Sequence, residues 1–327
     1  MKKIIALSLM LMLLLTALVS CGKDDTKLNV GFMNGPTGIG MAKLISDNGK
    51  LSGNERYSFE KFEDTTLAAE AVKAGRLDVA CLPTNEAAKI YNTTNSEIQV
   101  LAINCLNSLY IVAKNGIEID EIEDLNGKTV YTCKNGTPKI IFDKLIDAFE
   151  IEVTVKTELG EGDNATVINK PQDLPAVISA EKADIVLAPE PIVTNALMKN
   201  SNYSVKVDIG DAWNEKFDTP IAMGCIIARK DFVLNHKSVI DNFLEEYKQS
   251  IEFMSNAENL ESAAQYAVDT TIMGAVPAAK KAIQNLGTSI AYIDGSDMKD
   301  TLINIYNAFG MKVIGEKLPD DEFYYGS

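Results

Sequence analysis

The chain has 327 residues, with 46 acidic and 31 basic side chains and a formal charge of -15. So acidic a chain offers no basic footprint for nucleic acid, and its charge speaks to solubility rather than to fold. A single histidine excludes a histidine-rich metal site, and some 300 residues beyond the leader exceed one ordinary core, so two lobes are expected.

Taken in chain order, Lys2 and Lys3 precede an apolar run from Ile4 to Leu15. About a dozen residues cannot span a bilayer, which needs about 20, and the run fits a secretory signal. It ends in Leu18-Val19-Ser20-Cys21. This resembles the bacterial lipobox. The resemblance implies a signal peptide at 1–20, cleavage before Cys21, and diacylglycerol on the Cys21 sulfur. Residues 21–27 would then be a lipidated linker. Several acyl chains on one residue anchor stably where a single chain does not. Loss of Lys2 and Lys3 takes the charge from -15 to -17.

Strands and helices then alternate. Leu28 to Met33 reads as a strand, Thr37 to Ser46 as a helix, Tyr57 to Phe62 as a strand and Leu67 to Ala74 as a helix. Asp78 to Leu82 is a strand, Asn85 to Tyr91 a helix, and Ile98 to Ile103 and Leu109 to Ala113 are strands. A second block begins near Gly116, with a strand at Thr129 to Cys133, a glycine loop opening an amphipathic helix, a helix at Pro175 to Ala183 and strands at Asp184 to Ala188 and Val205 to Ile209. A strand returns at 221–228. Helices follow at Ser238 to Met254, Leu260 to Val268, Pro277 to Leu286 and Met298 to Phe309. Such alternation predicts α/β structure with mostly parallel sheets.

Five loops fall at the carboxyl ends of predicted strands: Asn34-Gly35-Pro36-Thr37-Gly38, Pro83-Thr84-Asn85, Asn104 to Ser108, Asn135-Gly136-Thr137-Pro138 and Pro189-Glu190-Pro191. Ligands of open α/β sheets bind beyond those ends, where helix amino-termini offer unpaired N–H groups. Any one loop alone reads rather as a helix cap. Matching glycine loops in two blocks read as two jaws.

The stretches "GPTGIGMAKL", "DVACLPTNEAAKIYN", "DLNGKTVYTCKNGTP", "KADIVLAPEPIVTNAL" and "AWNEKFDTPIAMGCIIARKDF" resemble the type II periplasmic substrate-binding proteins, in the branch serving nitrate, sulfonate, taurine and thiamine-pyrimidine uptake. The resemblance covers about residues 28–230. It implies two lobes joined by two hinge crossings, lobe 1 at 28–114 plus 221–327 and lobe 2 at 115–220. It also implies a small-molecule solute, an ABC permease and ATPase as partners, a monomer, lipid anchoring on the extracytoplasmic face of the cell membrane, no cofactor, no metal, and no reaction to catalyse. The alternatives are an enzyme on the same fold, of the pyrimidine-synthase or menaquinone-pathway lyase type, and a sensory solute-binding lipoprotein.

The expected ligand-binding residues are Asn34, Gly35, Thr37, Gly38, Thr84, Asn85, Asn107, Ser108, Gly136, Thr137, Glu190 and Trp213. The three arginines, Arg56, Arg76 and Arg229, all lie outside the loops, so no bidentate clamp for an oxyanion is evident. Amides, hydroxyls and one carboxylate suit a neutral or amino-heterocyclic solute such as a thiamine-pyrimidine-like precursor, with a small oxyanion or sulfonate second. Trp213 divides evenly between stacking and core roles. Cys81, Cys105, Cys133 and Cys225 read as buried thiols, a disulfide or metal site being the lesser reading. A Cys105–His236 nucleophile pair is conceivable, but apolar flanks favour an inert thiol and a solvated histidine.

Overall fold

The computed structural model describes residues 24–53, 55–160, 162 and 165–327; the expected signal peptide and Cys21 lie outside them. The chain opens with β1 (Leu28–Met33), α1 (Pro36–Gly49), β2 (Tyr57–Phe62), α2 (Thr65–Lys73), β3 (Val79–Pro83), α3 (Thr84–Thr93) and β4 (Ile98–Leu106). A second run holds β5 (Leu109–Lys114), β6 (Thr129–Tyr131), α4 (Thr137–Ala148), β7 (Thr154–Lys156), β8 (Glu158–Leu159), β9 (Thr166–Val167), α5 (Leu174–Ser179), β10 (Ile185–Pro189), α6 (Ile192–Leu197), β11 (Tyr203–Asp208) and α7 (Ile209–Phe217). The return comprises β12 (Ala222–Arg229), α8 (Lys230–Asn235), α9 (Lys237–Ser255), α10 (Leu260–Asp269), α11 (Val276–Leu286), β13 (Ile290–Ile293) and α12 (Gly295–Phe309).

These strands form two main sheets, ordered β13-β4-β12-β3-β1-β2 in lobe 1 and β11-β5-β10-β6-β7 in lobe 2. Strands covered on both faces read as near-continuous apolar runs, as β3 does and as β4 does apart from Gln99 and Asn104. One face of the first sheet packs α1, α9, α10 and α11 through Phe243, Tyr247 and Ile283. On α9 the buried Val239, Ile240, Phe243, Leu244, Tyr247, Ile251 and Met254 recur at helical spacing. Each such side chain stabilises by about 1.5–3 kcal/mol on burial. The other face packs α2, α3 and α12, and that core continues into lobe 2 through Leu109, Phe142 and Trp213.

The sheets divide one strand earlier than the sequence reading placed the boundary. β5, expected in lobe 1, pairs antiparallel with β10 and β11. The chain crosses at Asn107 and Ser108, which hold φ of 47° and 69°, and recrosses after Asp218, at φ 51°. Asparagine tolerates that left-handed region because its amide bonds locally. Here the Asn107 backbone N–H donates to Ile221 O at 2.8 Å, and the Ile221 N–H donates to Asn107 Oδ1 at 3.1 Å. The two crossings are thereby tied side by side. The apolar pattern of "SLYIVAK" shows a strand but not which sheet it joins.

Candidate functional site

Strand direction sets the site. β1 and β3 run parallel, and β12 returns antiparallel with Gly224 opposite Pro83 and Ala222 opposite Leu106. The edge of the first sheet therefore gathers Asn34, Thr84, Asn85, Asn104 and Gly224. In the second sheet β10 runs with β6 and against β5, with Pro189 opposite Leu109. Its edge gathers Ser108, Tyr110, Thr137 and Glu190. The two edges meet at the lobe junction.

The glycine loops start helices in matching fashion. Gly35 and Gly136 precede α1 and α4 at φ of 111° and 109°, a region open to glycine, and each helix has a proline in its first two positions. Neither helix has a side-chain cap. Asn34 donates to Glu63 Oε1 at 3.3 Å, leaving its own Oδ1 enclosed without a partner. The methyl of Thr37 and Oδ1 of Asn104 close over Gly224, where a Cβ would lie 2.6 and 2.9 Å from them. Gly38 is pressed against the Met33 carbonyl, at 2.1 Å from where a Cβ would sit.

Three bonds between side chains span the junction among the described residues. Thr137 donates its hydroxyl to Asn85 Oδ1 at 2.9 Å, with both residues buried. Asn285, on α11 of lobe 1, donates to Glu190 Oε1 at 2.7 Å and to Thr194 Oγ1 at 3.1 Å. Glu190 also accepts from the Thr194 backbone N–H at 3.1 Å and from its hydroxyl at 2.8 Å. Burial raises the Glu190 carboxyl above its ordinary value, against the opposing bonds from Asn285 and Thr194. Burial likewise raises Asp208, which caps α7 through the Gly210 N–H at 2.7 Å. The Tyr110 hydroxyl is raised by burial and then by Asp208 and Glu190.

Several expected ligand contacts instead serve the fold. Trp213 is fully enclosed, its ring 4.2 Å from that of Phe217 and 6.1 Å from that of Phe309, so it is a packing residue rather than a stacking platform. Asn107 is spent on the crossing described above. Thr84 donates to Ala222 O at 2.6 Å and ties α3 to β12. Ser108 is buried beside Cys105, its hydroxyl 3.6 Å from that sulfur, and its carbonyl accepts from the Glu190 N–H at 2.9 Å. Asn85 bonds Thr137 and Glu190 bonds Asn285 across the junction, while Gly35 and Gly136 each open a helix at the edge of its own sheet. Sequence reasoning missed Asn285 and Asn104 as site residues. Asn285 sits at a helix end with no local signal of the lobe it reaches. Asn104 was within a candidate loop, yet it belongs to β4, and only the sheet shows its Oδ1 to be unpartnered.

The four cysteines among the described residues are free and buried. Burial pushes the Cys81 and Cys105 thiols up to about 12 and that of Cys133 to about 11. His236 pairs with Asp24 at the other end of lobe 1, so no Cys105–His236 pair forms. A surface depression of about 590 Å³ lies at that far end too, remote from the junction.

Two sheet-and-helix lobes, crossed twice by the chain and each with a glycine-started helix at its sheet edge, make up the type II periplasmic binding protein fold. The chain belongs to the menaquinone biosynthesis family, whose model matches residues 55–287. Its sequence matches no curated protein. By structure it is similar to an ABC transporter protein from Parabacteroides distasonis (19% identity, 91% of this chain and 98% of that one, TM-score 0.72). It is also similar to the periplasmic aliphatic sulphonate binding protein SsuA from Escherichia coli (13%, 91% and 92%, 0.69). A third similar structure is the periplasmic nitrate-binding protein NrtA from Synechocystis PCC 6803 (15%, 84% and 74%, 0.60). At these identities the likeness shows the fold. The family match overturns the expectation that no reaction is catalysed, because that family is named for a biosynthesis.

Proposed function

We propose that the chain captures a small, largely uncharged solute between its lobes, as a lipid-anchored extracytoplasmic component that hands the solute to an ABC permease. The observation that carries this reading is the pair of uncapped helix starts at Gly35 and Gly136, one at the edge of each sheet, with unpartnered amide oxygens of Asn34 and Asn104 on the lobe 1 edge. Unpaired acceptors in an enclosed site favour a ligand rich in N–H or O–H donors. The arginines support the same chemistry. Arg56 is held by Glu246, Arg76 by Glu60, and Arg229 by Asp231 and Asp78, so none offers a fork to an anion. A thiamine-pyrimidine-like heterocycle fits, and a small sulfonate fits less well.

The test is native mass spectrometry of protein purified from its own host, followed by calorimetry with the recovered compound. Recovery of an unaltered heterocycle that binds with a 1:1 stoichiometry supports capture. Recovery of a sulfonate or nitrate overturns the ligand assignment. The family match favours a second reading, a biosynthetic enzyme on the same fold. Incubating the recovered compound with the protein separates the two, since conversion to a product of different mass supports catalysis.

A further inference from the structure

Asp24 fixes where the amino-terminal segment leaves lobe 1. Its Oδ2 lies 2.9 Å from His236 Nδ1, and its Oδ1 accepts from the Thr26 N–H at 3.1 Å. These contacts, Thr26 first and His236 next, hold the Asp24 carboxyl down at about 2. His236 sits between α8 and α9 with its ring 4.6 Å from that of Phe232. The exit point is therefore firmly placed.

That point lies at the end of lobe 1 opposite the junction. The Arg229 N–H donates to Asp78 O at 2.9 Å where β3 begins, whereas β12 meets the end of β3 at Gly224. α8, at this far end, presents Leu234, which is 73% exposed and exceeds every other large apolar side chain of the described residues. Leu234 borders the depression of about 590 Å³ there with Lys73, Arg229 and Lys230 and with the acidic Glu97 and Asp231, and Lys237 follows His236 directly; Arg229 pairs with Asp231, Lys230 with Glu322 and Lys237 with Asp241.

Cys21 stands three residues before Asp24. At a full extension of about 3.6 Å per residue, Cys21 lies no more than roughly 11 Å from Asp24. We propose that the α8–α9 end of lobe 1, with Leu234, Lys230 and Lys237 around His236, is the membrane-facing surface, and that its partner is the phospholipid bilayer holding the acylated Cys21. This rests on the anchoring reading of Cys21. Acyl chains fix Cys21 at headgroup depth, and the Asp24–His236 contact holds this end of the lobe within the same short reach. An exposed leucine ringed by side chains of both signs suits that interface, where the leucine and the lysine stems bury and the charged heads stay wet. The six-residue β1 runs from this end towards the junction, which sets the site loops about 20 Å further from the bilayer.

The test uses the full lipidated protein in phosphatidylcholine–phosphatidylglycerol vesicles containing headgroup spin-labelled lipid. Leu234→Cys and Met198→Cys are labelled with one fluorophore; Met198 is 54% exposed directly after α6 of lobe 2, and the four native thiols among the described residues are buried. The expected result is quenching at least threefold stronger at position 234 than at 198. In the Leu234→Cys background, His236→Ala should lower that quenching by half or more. Equal quenching, or stronger quenching at 198, on a protein whose mass shows the lipid, overturns the orientation while leaving the anchor intact. A purified wild-type protein without the lipid mass overturns the anchoring reading and the orientation with it.

Discussion

Asn285→Ala removes one clasp between the lobes. Its amide is the lobe 1 donor to Glu190 Oε1 at 2.7 Å, and Glu190 is 2% exposed. A hydrogen bond to a charged group is worth about 1.5–3 kcal/mol. Asn285 itself is exposed, so the low end applies, and the ratio of closed to open lobes should fall about tenfold at about 1.4 kcal/mol per decade. A solute that binds only the closed form then loses affinity by at most that factor, because apparent affinity scales with the closed fraction. In the open form both groups are solvated, so the melting temperature of the unliganded protein should hold. Distance-dependent fluorescence transfer between labels on the two lobes, with calorimetry of the recovered solute, measures both quantities. A variant with unaltered inter-lobe distance and unaltered affinity refutes the clasp. One that melts several degrees lower with its closure intact shows the contact to be part of the fold instead.

Three further outcomes follow from the same geometry. Thr137→Val strips the hydroxyl that satisfies the buried Asn85 Oδ1 at 2.9 Å, so closure should weaken by about 1–3 kcal/mol, while Thr37→Val, whose methyl already faces Gly224, should change closure by less than about 0.5 kcal/mol; equal effects in the transfer assay would remove the Thr137 bond from the junction. Trp213 is the only tryptophan and is fully enclosed, so its emission should stay blue-shifted and unquenched by acrylamide whether or not solute is added, and a ligand-dependent change would restore a stacking role. Burial raises the Glu190 carboxyl, so the folded chain holds that proton more tightly than the unfolded chain; the contribution is full below the ordinary carboxylate range and is lost as pH rises through the raised value. Denaturant melts from about pH 4 to about pH 7 should therefore show wild type losing stability relative to Glu190→Gln, and a flat or rising difference would contradict the assigned burial.

The elements were legible where packing speaks through local pattern. The run from Leu28 to Met33 and the helical spacing on α9 are set by what each buries, and the structure places both where the pattern does. Elements with little to bury left little trace. β7 is three residues at a sheet edge and β13 is four, and neither was expected. The glycine loops were legible because a φ near 110° before a proline-started helix needs glycine. Partnership across the junction was not. Nothing in "KKAIQNLG" marks Asn285 as the residue that meets Glu190, because that pairing spans 95 positions and exists only once two separately folded edges face each other. Trp213 misled for a related reason, since an aromatic beside a polar connection looks the same in sequence whether its ring faces the cleft or Phe309.

Capture and catalysis on this fold share lobes and hinge, and differ in whether the junction holds a group that can move a proton. Among the described residues there, Cys105 is shifted away from the thiolate by burial, and the lone histidine is held by Asp24 at the far end of the lobe. Glu190 and Asp208 remain, both raised by burial and so both nearer than an ordinary carboxylate to exchanging a proton at neutral pH. Yet Asp208 is engaged by a helix start and Glu190 by three bonds from Thr194 and Asn285. Opening the lobes would free Glu190 from Asn285 alone. The same contact that closes the cleft therefore governs the carboxylate best placed to act inside it, so the closure measured through Asn285 bears on both readings of the junction at once.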